Sequence, residues 1–124
     1  MTPMTATPQA YRENAVLCAT PAQRVVMLYD SARRFLRQAA EAMRAGEVER
    51  AHNKLRQAEQ IVAHLDVVLD YEQGAALSEQ LHALHNFCLT HLNRARMSLE
   101  ADKVEEVSEI LGDLRESWVE IARR

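Results

Sequence analysis

Apolar residues recur at helical spacing in four stretches of this chain, and the breaks between them carry helix stop and start signals. The first stripe runs Val25, Leu28, Tyr29, Ala32, Phe35, Leu36, Ala39 and Met43, spaced so that at ~100° per residue they fall on one face. Its start is encoded locally. Thr20 can cap the orphan N–H groups, Pro21 fits the first helical position, and Gln23 stands where a capping box places its second acceptor. Gly46 suits the left-handed position that ends such a helix. A second stripe follows at Ala51, Leu55, Ala58, Ile61, Val62, Leu65 and Leu69, and a third at Leu77, Leu81, Leu84, Cys88, Leu92, Ala95 and Leu99. Asp102, with Glu105 three residues on, reads as the N-cap of a fourth helix, whose stripe is Val107, Ile110, Leu111, Leu114, Trp118 and Ile121. Four helices of about 20 to 25 residues joined by short links pack most simply as an antiparallel up-down-up-down four-helix bundle. The predicted fold class is all-α. Residues 1–20, rich in Thr, Pro and Ala without periodicity, read as a flexible N-terminal arm, and residues 21–124 as the bundle.

Residues that fall off the stripes carry more functional information than the stripes do. Val26 and Met27 in the first helix, Val67 in the second, Phe87 and Leu89 in the third and Val119 in the fourth point away from their own core faces, with Val104 at an edge. Single exposed hydrophobes are ordinary on any protein surface. Several on one small bundle predict external apolar grooves, into which an amphipathic partner helix could set anchors at i, i+3, i+4 and i+7. Tyr11, a lone aromatic in the polar leader, is expected to dock onto the bundle and compete for the same surface.

A chain of 124 residues is one domain, and three glycines, three prolines and few aromatics agree with an all-helical chain. The formal charge of −3, with Arg residues dispersed among acids, excludes nucleic acid as the main ligand. Arg33, Arg34 and Arg37 form the densest basic cluster and read as a solvated face. No stretch is apolar and long enough for a membrane span, and no secretory leader is evident, so a cytoplasmic location with Cys18 and Cys88 as reduced thiols is expected.

Glu49-Arg50-Ala51-His52 and Glu79-Gln80-Leu81-His82 match the Glu-x-x-His pairs of dinuclear metal bundles. Helical phase turns both away from the core. Each also opens its helix, which puts the two at opposite ends of an antiparallel pair, so no metal and no cofactor is expected. His82 and His85 alone would make a weak metal site and are expected to face solvent or a groove edge. No serine or cysteine has a nucleophilic context, so no catalytic residue is expected. Trp118 is expected in the core, and Tyr29 is open between core and site.

Tyr11, Thr20-Pro21 and Leu28-Tyr29-Asp30 stand in the order of the opening signature of the flagellin export chaperones. Gln60 to Leu65, Leu69-Asp70, Gly74, Leu81, Leu84, Arg94-Ala95, Glu106-Val107 and Leu114 to Trp118 continue the match. The chain thus resembles the FliS family from about Tyr11 to Ile121. His85 departs from it, standing where that family usually has Tyr. The resemblance implies a chaperone of type III flagellar export, with no enzyme activity, that binds the disordered C-terminal segment of flagellin and prevents premature polymerisation. A co-chaperone, an export-gate component or a second copy as further partners stay open. So does the alternative of a self-associating structural or regulatory bundle.

Overall fold

In the computed structural model the described residues are 8, 18–72 and 75–123, and they form four helices: α1 Pro21–Arg44, α2 Val48–Glu72, α3 Ala75–Ser98 and α4 Ala101–Arg123. The leader residues Tyr11, Val16 and Leu17, and the side chain of Leu77, lie outside the described residues.

α1 starts as its sequence demands. Thr20 has extended φ/ψ, its hydroxyl accepts from the Gln23 N–H at 3.2 Å, and its own N–H donates to Gln23 Oε1 at 2.9 Å. The helix closes at Gly46, whose φ of 74° lets the Gly46 N–H reach the Met43 carbonyl and the Glu47 N–H reach the Ala42 carbonyl. These two bonds satisfy carbonyls that the helix end would otherwise strand.

Polar pairs between helices establish the topology. Arg44 at the end of α1 meets Asp102 at 3.2 Å and Glu105 at 2.7 Å at the start of α4. Asp66 of α2 pairs with His82 of α3, and His91 of α3 with Glu106 of α4. Neighbouring helices are therefore antiparallel, α1 lies between α2 and α4, and α3 sits diagonally opposite α1. The predicted up-down-up-down bundle is the observed one. α1 packs along α2 and α4 more extensively than α3 does, helped by buried Ala32, Ala39, Ala40 and Ala42, which let backbones approach.

Tyr29, Leu36, Leu55, Leu65, Leu92 and Leu111 are fully buried and form the centre of the core, and Trp118 joins them, as expected. Two local expectations change. Asp102 is not an N-cap: α4 begins at Ala101, two residues earlier than a cap at Asp102 requires, and both Asp102 and Glu105 turn to Arg44, which holds the Glu105 carboxyl below its usual range. The turn before it is made by Leu99 at φ 53°, with the Glu100 N–H bonded to the Ala95 carbonyl. A leucine thus occupies a left-handed position that glycine holds at the end of α1, and it is 43% exposed rather than a core residue.

Candidate docking surface

The capping box sets the first turn of α1 and hence the direction of every side chain after it. Val25 and Tyr29 go inward, while Met27 lies on the crest between two clefts. One, of about 340 Å³, runs between α1 and α2 and is lined by Pro21, Arg24, Met27, Leu28 and Ser31 with His64 and Val68. The other, of about 610 Å³, runs between α1 and α4, where Val26 and Met27 face Val119 and Ala122. Cys18, Gln23, Asp30 and Arg123 border the second cleft. Asp30 there bonds Arg115 of α4, which raises the guanidinium further above its ordinary value.

Three of the off-stripe residues, Val26, Met27 and Val119, are thus brought to one cleft by two helices far apart in sequence. Val67 and Phe87 are 55% and 53% exposed but lie outside both clefts. Phe87 stacks on His91 with ring centroids 5.7 Å apart, and His91 Nε2 is 2.7 Å from Glu106. Leu89 and Val26 are only partly exposed, because both also pack against the core.

Val104 corrects the expectation of a surface residue: it is fully buried. It stands three residues before Val107 and seven before Leu111, which is the spacing of one helical face, so it heads the α4 core stripe instead of edging it.

His85 is the second correction. The ring is fully buried, with Nε2 2.8 Å from the Tyr29 hydroxyl across the bundle and Nδ1 2.6 Å from Asp66 of α2. Asp66 also meets His82 Nδ1 at 3.0 Å, and His82 stays exposed. With the imidazole neutral, Nδ1–H donates to the Asp66 carboxylate, so Nε2 accepts from the Tyr29 O–H and both ring nitrogens have partners. Burial, with Asp66 and Cys88 adding to it, raises the Tyr29 hydroxyl above its ordinary value, so it remains a donor. Tyr29, left open between core and site, belongs to the core. The signal for His85 was in the sequence: it follows Leu81 by four and precedes Cys88 by three, on the stripe itself. Asp66 had no such signal.

A Tyr–His–Asp chain has the composition of a proton relay, but Tyr29 and His85 are both sealed from solvent and line neither cleft. Glu49, Glu79 and His82 are exposed. Among the described residues no group of three or more His, Cys, Asp or Glu side chains is placed to hold a metal ion, and no helix is long and apolar enough to cross a membrane.

What this surface offers is apolar clefts between the helices of a four-helix frame. The family model described as flagellar protein FliS matches residues 4–124. This chain belongs to the FliS family. Among curated relatives, the flagellar secretion chaperone FliS of Salmonella typhimurium is 31% identical over 89% of this chain and 82% of its own length. That of Bacillus subtilis is 29% identical over 88% and 80%, and that of Campylobacter jejuni 28% over 90% and 88%. Membership of the FliS family assigns the chain to the flagellar secretion chaperones.

Proposed function

We propose that this protein is a cytoplasmic export chaperone that binds the disordered C-terminal segment of flagellin and keeps it from polymerising before secretion. The observation that carries the reading is the pair of apolar clefts flanking the first half of α1 and sharing Met27. A segment that folds into short helices on binding can lay its apolar face in one cleft and cross the Met27 crest into the other. Burial of that face removes the surface through which flagellin termini would pair. Such coupled folding can bury on the order of 1,000–3,000 Å², with ordering entropy offsetting ~2–5 kcal/mol, which leaves the complex specific yet releasable. The proposed contacts are Val26, Met27 and Val119 at the α1/α4 cleft, extended by Val67, Phe87 and Leu89 on the other helices and by Tyr11 from the leader. No catalytic group or cofactor takes part.

Calorimetric titration with the isolated flagellin C-terminal segment tests the reading. A one-to-one complex is expected, lost when that segment is deleted from flagellin. Met27→Asp should weaken binding while leaving helical content unchanged, because a charge on the crest must be desolvated only in the complex. Val26→Asp is the poorer probe, since Val26 also packs against the core. Binding of Met27→Asp with parent affinity would place the client elsewhere, and undiminished binding of flagellin lacking its C-terminal segment would refute the client assignment.

A further inference from the structure

The two clefts beside α1 differ in charge. The α1/α4 cleft carries both signs, with Asp30 paired to Arg115 and Arg123 paired to Glu120. Among the described residues the lining of the α1/α2 cleft has no carboxylate, and Arg24 stands at its edge. One turn beyond Ser31, the Arg34 guanidinium from α1 and the Lys54 ammonium from α2 both lie over the Phe35 ring, 5.4 and 5.5 Å from its centroid. Arg24, Arg34 and Lys54 take part in no ion pair among the described residues. Leu28 and Val68 line the cleft, and Phe35 and Ile61 continue the apolar seam between α1 and α2 beyond it. Leu28 and Phe35 are seven residues apart on α1, Ile61 and Val68 seven apart on α2, and all four are partly buried against the core. That repeat is two helical turns, about 10 Å, the distance between anchors at i and i+7 of a docked helix.

We propose that the α1/α2 groove seats an amphipathic helix whose apolar stripe is flanked by carboxylates. The apolar floor takes the stripe, and the cations on both rims take the flanks, which fixes which face of the helix turns inward and rejects basic helices. A nucleic acid fits less well: three cations around an aliphatic floor, on a chain of formal charge −3, do not make the concentrated basic face that phosphates require. The proposal rests on the reading of the clefts as client grooves only in placing a helix there.

Designed peptides test it separately from flagellin. Three peptides of about five turns share one leucine stripe at i, i+3, i+4 and i+7 and differ only in flanks of Glu, Gln or Lys. At about 50 mM salt the Glu peptide should bind about tenfold tighter than the Gln peptide, and the advantage should fall at about 500 mM. The overall negative charge of the protein works against this order, so the preference can come only from the local rim. The exposed double substitution Arg24→Glu with Arg34→Glu, checked for helicity by circular dichroism, should reverse the order in favour of the Lys peptide. Equal affinities for the Glu and Lys peptides, no change on charge reversal, or competition by a single-stranded DNA oligonucleotide as effective as the Glu peptide would each overturn the proposal. A flagellin segment that fails to bind while the Glu peptide binds would refute the client assignment and leave the groove chemistry standing.

Discussion

Replacing His85 by Phe keeps a ring of similar shape in the same place and removes only the two nitrogens. The Tyr29 hydroxyl, fully buried and 2.8 Å from Nε2, then loses its acceptor. The Trp118 indole nearby can only donate, so the hydroxyl proton is left without a partner. An orphaned buried hydroxyl costs about 1–3 kcal/mol. Asp66 loses a bond of 2.6 Å but is 17% exposed and keeps His82 at 3.0 Å, so water and His82 recover part of that loss and about 1 kcal/mol remains. The sum is about 2–4 kcal/mol, or roughly 8–16 °C in Tm for a chain of this length. Urea unfolding followed by far-ultraviolet circular dichroism and by Trp118 fluorescence measures it, and coincidence of the two probes licenses the two-state analysis. A cycle with Tyr29→Phe isolates the bond. The double variant should be less destabilised than the sum of the singles by about 1–2 kcal/mol, because each single alone already breaks the contact. An unchanged urea midpoint in His85→Phe, or strict additivity in the double variant, would show that the Tyr29–His85 contact does not contribute as argued.

Leu99→Gly should stabilise the protein by about 1 kcal/mol, seen as a rise of about 4 °C in Tm, because the residue sits at φ 53° and is half exposed, so little packing is lost. A fall in Tm would mean that Leu99 packs more than its exposure implies. Alkaline pH should destabilise the fold through two buried acids: burial pushes the Cys88 thiol from about 9 up to about 11 and raises the Tyr29 hydroxyl from about 10. Both hold their protons more tightly folded than unfolded, so their contribution is fully present below the unfolded values and is lost as pH rises through the folded ones. The urea midpoint should therefore decline from about pH 9 upward, with the decline between about pH 9 and 11 reduced in Cys88→Ala; an undiminished slope in that variant would assign the effect to other groups.

Helical period and end chemistry are legible in the sequence alone. The Thr20 to Gln23 capping box and the Gly46 terminus are local devices, complete within a few residues of chain, and both form as the sequence predicts. The family resemblance was legible for the same reason, as an ordered set of residues along one chain. Misreadings arose where a side chain had a choice of partner. Asp102 could cap its own helix or pair with Arg44, 58 residues away, and only the juxtaposition of α1 with α4 decides between them. Val104 and His85 stand at core spacing and are buried, but spacing alone does not separate an edge from a core position, and polarity by itself argues for the surface.

By itself the sequence determined the number of helices, their direction changes, most of their inward faces and the family, because periodicity, caps and turns are properties of neighbouring residues. Tertiary structure alone decided which off-stripe residues share a cleft. Val26 and Val119 are 93 positions apart, and what joins them is the antiparallel packing of α1 on α4. It also decided the fate of His85. A polar side chain can be buried when its partners are already in place, and Tyr29 and Asp66 reach it from two other helices only once the bundle has closed.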